Sequence, residues 1–332
     1  MTDRAGAGGR MPNLFVVGAM KAGTTTLYRY LSGHPGVFMS PIKEPNHFSG
    51  EALVQRAAPL FRSATAGLDA YLDGPMDQER HMAYVSDRAR YLRLFRDAGT
   101  RPWRGEASPG YLFSPDAPAA VRQASPGARV VMMLREPVER AVSHYRMDLG
   151  GGVVRTSFAQ AVAQDRRAEG MGYPTDSLYL AMGMYARQVR GWMEAFPADQ
   201  VRVYLFDDLR SDPEGVTDDL AAFLGVDAAG FRRGAEHENR ALAPRWTAVN
   251  WMLHHSGLKT LVRLVAPASV LQAGKRMWYR SPPDPGVTPQ LRAELRALFA
   301  PDVAELSELV GRDLSRWTAE RRAPARSAGA GA

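Results

Sequence analysis

The stretch that most constrains this chain is Leu14–Leu31, LFVVGAMKAGTTTLYRYL. Four consecutive apolar residues, Leu14 to Val17, read as a short buried strand. Gly18 ends it, and Gly23 stands where a backbone turns tightly or comes close to a ligand. Thr24, Thr25 and Thr26 belong to the residue types that cap helices, and Leu27, Tyr28 and Leu31 then recur at helical spacing. A strand, a loop with free N–H groups and a helix N-terminus in succession form an anion site. Gly18 and Gly23 keep the glycine spacing of the nucleotide-triphosphate loop, G-x-x-x-x-G-K-[ST]. Thr24 occupies the lysine position, however, and the lysine sits inside the loop as Lys21. Read alone, the stretch is also compatible with a Gly-rich strand–helix connection that carries a surface lysine.

Composition narrows the alternatives. A length of 332 residues suits one α/β sheet with helical additions. The net charge of +7 is scattered, with no Lys/Arg run interleaved with aromatics, which argues against nucleic acid and is compatible with an anionic ligand. The absence of cysteine excludes disulfides, Cys-based metal sites and Cys nucleophiles. Residues 1–13 lack the apolar core of a signal peptide. Leu258–Leu271 is interrupted by Lys259, Arg263 and Pro267, and is too short and charged to span a bilayer. The expectation is a cytoplasmic protein without a transmembrane segment, and the Ala/Arg/Gly/Pro bias points to a bacterial source.

Along the chain, residues 1–10 and 321–332 are expected to be disordered tails around a single domain, 11–320. His34-Pro35 ends the first helix. Val37–Met39 reads as a second strand, Pro41–Phe48 as a proline-rigidified loop, and 51–98 as helices with a mobile segment near Asp73–Arg80. Trp103–Ala107 is a strand, followed by a turn at Ser108–Tyr111 and a short helix near Asp116–Gln123. Ala128–Leu134, ARVVMML, suits the centre of a sheet buried on both faces, and Pro137 the first turn of a helix that stops at Gly150–Gly152. Further helices are expected at Ser157–Arg167, Ser177–Phe196 and Pro213–Leu224, with a strand at Val201–Phe206. Residues 227–245 read as a polar loop and the remainder as helical. The alternation predicts an α/β, P-loop-like three-layer fold, a central parallel sheet flanked by helices.

A second anion site follows the ARVVMML strand. Arg135 lies at the strand's C-terminal end, the ligand edge of an open α/β sheet. It can offer a bidentate fork to a phosphate, and Ser143, two turns into the next helix, a hydroxyl. By themselves the pair could be a helix-capping arginine and a solvent serine.

Four motifs occur in order: K-x-G-T-T at Lys21, K-E-P at Lys43, G-E-A-S-P-x-Y at Gly105, and R-E-P-x-x-R-A-x-S-x-Y at Arg135. In this combination the chain resembles the family of sulfotransferases that use 3′-phosphoadenosine-5′-phosphosulfate (PAPS), and within it the heparan sulfate sulfotransferase-like branch with its bacterial relatives. The resemblance runs from Phe15 to Tyr145 and continues more loosely to Trp317. It implies that Lys21, Ala22, Gly23, Thr24, Thr25 and Thr26 wrap the 5′-phosphosulfate, with Lys21 neutralising the leaving oxygen. It implies that Arg135 and Ser143 hold the 3′-phosphate and that Glu44 is the catalytic base. That branch often has a His two positions after the Glu. Here Asn46 fills the slot and His47 follows, which makes His47 the alternative base. Glu106-Ala107-Ser108-Pro109 replaces the E-K-S-P of the glycan enzymes. Their C-terminal Lys-Gly-Arg loop has counterparts at most in Gly274-Lys275-Arg276 or Arg280.

The implied reaction moves a sulfuryl group from PAPS to a hydroxyl, or less favourably an amine, of a small-molecule, lipid or glycan acceptor, with no metal required. Acceptor loops are expected within 49–101 and 150–176. The rivals are a P-loop kinase using ATP and Mg²⁺ and an inactive nucleotide-binding protein. His34 and His144 read as structural. His237, His254 and His255 lack ligand partners at metal spacing. Asp207-Asp208 reads as a turn after a strand rather than a Mg²⁺ ligand pair, and Tyr185 as a packing residue or one near an adenine.

Overall fold

The run of apolar residues from Leu14 becomes β1 (Leu14–Gly18), in which every residue is buried. Its equal, β6 (Arg129–Leu134), is buried from Val130 onward. Each large apolar side chain withdrawn from water in these strands contributes about 1.5–3 kcal/mol, which places the two at the centre of the sheet. The computed structural model describes residues 9–50, 65–167, 178–231, 243–244, 279–280 and 286–319. Five strands form one sheet in the order β2-β5-β1-β6-β7, with β2 at Val37–Met39, β5 at Trp103–Ala107 and β7 at Val201–Leu205. All its pairings are parallel: Phe15 sits opposite Glu106 and Val130, and Met132 opposite Val203. The predicted parallel α/β architecture is the observed one. Parallel direction carries a consequence for chemistry, because all five C-terminal strand ends emerge at one edge.

The flanking helices follow the expected order. They are α1 (Thr24–Gly33), α2 (Leu68–Asp73), α3 (Arg88–Arg93), α4 (Ala117–Ala124), α5 (Pro137–Gly151), α6 (Phe158–Arg167), α7 (Tyr185–Ala195), α8 (Phe206–Ser211), α9 (Pro213–Leu224) and α10 (Pro289–Val310). Helix α5 begins on Pro137 and ends at Gly152, whose φ of 80° is the left-handed conformation of a C-terminal stop. Its N-cap is Glu136, which accepts from Val138 N (3.2 Å) and Glu139 N (2.7 Å).

Several expectations are corrected. The loop expected at Pro41–Phe48 contains a strand, β3 (Ile42–Glu44), paired in parallel with β4 (Arg80–Met82) as a separate small sheet. The segment expected to be mobile near Asp73–Arg80 therefore runs from the end of α2 into that strand. A three-residue strand shows no periodicity, so nothing local announces it. The helix expected from Ser177 starts at Tyr185, preceded by a 3₁₀ turn at Ala181–Gly183. Phe206 opens α8 rather than closing β7, and the turn read at Asp207-Asp208 is the first turn of that helix. The threonines do not cap α1: its N-cap is Gly23, and Thr24–Thr26 form the first turn. The helical pattern read at Leu53–Phe61, most of the 227–245 loop and Gly274–Arg276 lie outside the described residues. Tyr279–Arg280 pairs antiparallel with Ala243–Pro244.

Candidate active site

The loop between β1 and α1 is shaped by two residues in left-handed conformation, Lys21 (φ 69°) and Gly23 (φ 98°). For a residue with a Cβ this geometry costs about 1–2 kcal/mol, so the loop at Lys21 must be held from outside. Arg135, which follows β6, does so: its Nη1 donates to the Lys21 carbonyl at 3.3 Å. Gly23 has no alternative. A Cβ there would lie 2.8 Å from the Phe206 ring, and the same ring lies 4.7 Å beneath the Arg135 guanidinium. One aromatic residue, the first of α8, thus fixes both the loop and the arginine. The first N–H groups of α1, on Thr24 to Thr26, have no partner one turn earlier and point their positive dipole end at this loop.

The Lys21 side chain is half-buried. Burial pushes its ammonium below the usual lysine range; Lys43 and Arg135 act in the same direction, while Glu44 and Asp148 oppose. Glu44 is thus the carboxylate that acts most strongly on Lys21. It closes β3, and its Oε1 lies 2.6 Å from the buried Lys43 Nζ and 3.9 Å from His81 Nε2. The β3–β4 pairing, which sets Glu44 opposite Met82, brings His81 to that point. Sequence reasoning missed His81 because no local signal joins two such short strands.

His47 faces elsewhere. Its Nδ1 donates to the Val85 carbonyl at 2.6 Å, and its ring stacks on Tyr91 at 4.0 Å and 8°. Burial holds its pKa below the ordinary histidine value, so the ring is neutral near pH 7 and carries its lone pair on Nε2. The structure therefore gathers Lys21, Glu44 and Arg135 at one edge, and seats His47 in an aromatic stack with Tyr91. Ser143 lies half-buried on α5, two turns from the start of the helix that follows Arg135. Its neighbour His144 is buried: Nδ1 accepts from Arg140 at 3.4 Å and Nε2 faces Asp148 Oδ2 at 3.6 Å. Burial first, and Arg140 and Lys21 after it, keep His144 well below the ordinary histidine pKa. This agrees with its structural reading.

On the far side of Arg135 lies a cavity of about 360 Å³, lined among others by Phe206, Arg210, Arg296, Arg316 and Trp317. Among the described residues the Trp317 indole N–H is buried without a partner. Two aromatic rings and several guanidinium groups suit a flat, anionic ligand. The guanidiniums are partly offset: Arg296 faces Glu136 at 3.9 Å, and Arg316 faces Asp207 and Asp208 at 3.9 and 3.8 Å. These arginines lie outside the recognisable motifs, and only the fold carries α10 and the segment after it to Arg135. Tyr185, read as packing or near an adenine, donates from its hydroxyl to the Arg135 carbonyl at 3.0 Å. Among the described residues no cluster of three or more His, Asp or Glu side chains could hold a metal ion. No helix among them is long and apolar enough to cross a membrane.

Comparison with known proteins gives the family. The model of the sulfotransferase family matches residues 12–230. The human bifunctional heparan sulfate N-deacetylase/N-sulfotransferase 3 is 28% identical over 220 residues, 65% of this chain and 22% of that protein. Human heparan sulfate glucosamine 3-O-sulfotransferase 6 is 26% identical over 219 residues, 65% of this chain and 53% of that protein. The chain thus matches about half or less of the length of these curated relatives. A solved sulfotransferase from Alicyclobacillus acidocaldarius is 31% identical, covers 93% of this chain and 99% of its own, and superposes with a TM-score of 0.64. With the family match spanning every strand of the parallel sheet and the loop that Arg135 and Phe206 hold, the chain belongs to the sulfotransferase family.

Proposed function

We propose that the protein transfers the sulfuryl group of PAPS to a hydroxyl of a small-molecule, lipid or glycan acceptor. The observation that carries this reading is the meeting of Lys21, Glu44 and Arg135 at the C-terminal edge of the sheet. There Glu44 closes β3, and Arg135 donates to the backbone carbonyl of Lys21. In this reading the phosphosulfate lies against the loop Lys21–Thr26, where the N-terminus of α1 and the Lys21 ammonium oppose its charge. Arg135 and Ser143 take the 3′-phosphate, and the aromatic and cationic cavity beside Arg135 takes the rest of the nucleotide.

The chemistry is an in-line displacement. The acceptor hydroxyl gives its proton to Glu44, its oxygen bonds to sulfur, and the bond from sulfur to the bridging phosphate oxygen breaks. 3′,5′-Bisphosphoadenosine (PAP) departs with that electron pair, and Lys21 stabilises it. As in phosphoryl transfer, the protein positions groups and balances charge. The heparan sulfate relatives named above make a glycan hydroxyl or amine a natural acceptor to test first.

The test is incubation of the protein with ³⁵S-labelled PAPS and an extract of the producing organism, followed by mass spectrometry for a sulfated product. Wild type should yield a labelled adduct in the presence of EDTA. Lys21→Ala should nearly abolish it while the fold persists. Glu44→Gln should lower turnover by about a hundred-fold with PAP affinity nearly unchanged. Normal turnover in Glu44→Gln, with loss in His47→Ala instead, would move the base to His47. Strict dependence on Mg²⁺ and ATP would overturn the sulfuryl-transfer reading in favour of a kinase.

A further inference from the structure

Glu106, in β5, is fully buried and takes no part in the chemistry above. Its Oε1 accepts from the hydroxyls of Tyr91 and Tyr111, the latter at 3.0 Å, and its Oε2 from Ser108 Oγ at 2.7 Å. Each of these three residues also touches a single short segment. Ser108 Oγ accepts from the Asn46 N–H at 3.2 Å, the Tyr91 ring stacks on His47, and Tyr111 Oη accepts from the Phe48 N–H at 3.0 Å. Asn46, itself at φ 54°, passes the tie on, since its Nδ2 donates to the Glu44 carbonyl at 2.8 Å. Three consecutive residues directly after Glu44 and Pro45 are thus tethered to one carboxyl group.

The polarity of the tethers explains why an acid stands there. A hydroxyl has one hydrogen and two lone pairs. An ionised carboxylate only accepts, so it turns all three hydroxyl hydrogens toward itself and leaves the Ser108 and Tyr111 lone pairs facing the loop N–H groups. A group that also donates, such as an amide, forces one hydroxyl to reverse and leaves a loop N–H without an acceptor. Burial raises the Glu106 carboxyl to about 7, while the hydrogen bonds from Tyr91, Ser108 and Tyr111 pull it down.

We propose that Glu106 is a positioning residue for the transfer reaction: through Tyr91, Ser108 and Tyr111 it clamps residues 46–48 and so sets Glu44 relative to Lys21. The inference rests on the sulfuryl-transfer reading for its catalytic consequence but not for the clamp itself. The test compares wild type with Glu106→Gln, and with Tyr111→Phe as the variant that keeps the buried carboxyl. At pH 8 it follows PAP affinity, PAP released from PAPS with water as acceptor, and hydrogen exchange of the Asn46 and Phe48 amides. Both variants should exchange faster at Phe48. Turnover should fall about ten- to a hundred-fold, while PAP affinity stays within about two-fold, the pattern of a group acting after ground-state binding.

Unchanged exchange would overturn the clamp. Faster exchange with unchanged turnover, or an equal loss of PAP affinity, would reduce Glu106 to a general structural role and overturn the proposal. If wild type releases no PAP from PAPS either with water or with the extract as the source of acceptor, the sulfuryl-transfer reading fails separately. The exchange rates of Asn46 and Phe48 then decide the clamp alone: faster exchange in the variants upholds it, unchanged exchange removes it.

Discussion

Arg135 answers to three demands with one side chain. It braces the left-handed backbone at Lys21, stacks on Phe206, and presents the rest of its fork to the cavity. Arg135→Ala should therefore weaken PAP more than adenosine 5′-phosphate, which lacks the 3′-phosphate. A charge-assisted contact of this kind contributes about 1.5–3 kcal/mol, or roughly ten- to a hundred-fold in affinity. Calorimetric titration with both nucleotides measures the difference, and an equal loss for both would confine Arg135 to bracing the loop. Arg135, Lys21 and Glu44 were legible in the sequence because each stands in a short motif beside a strand end. His81, Arg296 and Arg316 were not, since each reaches the site through pairing or packing between segments far apart in the chain. Glu106 is visible as a motif letter, but its hydrogen bond from Tyr91 on α3 cannot be read from GEASP.

Helix α5 carries Ser143 and starts at the edge where Arg135 projects, so its first turn positions part of the candidate nucleotide site. That turn is secured by Glu136, whose buried carboxyl accepts the N–H groups of Val138 and Glu139 and faces Arg296 of α10. Removing a cap of this kind costs about 0.5–2 kcal/mol, and here it also leaves Arg296 without its facing carboxylate. Glu136→Ala should lower the unfolding free energy obtained from urea titration by that amount or more, with Glu136→Gln intermediate. Glu136→Ala as stable as wild type would show that Pro137 alone suffices to start the helix. Elements of this strength were read correctly from the sequence: β6 from its unbroken apolar run, α5 from Pro137 and the terminal glycines. Weak elements were not. The β3–β4 pair consists of three-residue strands, and the 3₁₀ turn at Ala181–Gly183 merges with α7 in any helical pattern. At the cap of α1 the left-handed turn at Gly23, against which the Phe206 ring packs, overrides the ordinary preference for threonine.

At the scale of the whole molecule, a parallel sheet collects its catalytic candidates at one edge and leaves titratable groups buried behind them. Two of these have opposite effects on stability. Glu106 has a folded pKa raised by burial from 4.5 to about 7. Between these values the native state keeps a proton that the unfolded chain has released, so stability is highest below pH 4.5 and declines until about pH 7. The shift corresponds to a decline of ~3 kcal/mol. His144 is held well below its ordinary 6.5 by burial. Below that pH the unfolded chain gains a proton the native state refuses, so its contribution is lost as pH falls. From 4.5 to 6.5 the two slopes oppose each other, and above 6.5 the Glu106 slope stands alone. Urea unfolding of wild type and Glu106→Gln at pH 4.5, 6 and 8 separates them. The stability of wild type relative to the variant should fall steadily across the series, by up to ~3 kcal/mol. In His144→Asn the comparison should run the other way, with wild type losing ground to the variant as the pH drops from 6.5. A wild-type-to-Glu106→Gln difference independent of pH would mean that the three hydroxyl donors, not burial, set the state of the carboxyl, and that it is ionised throughout.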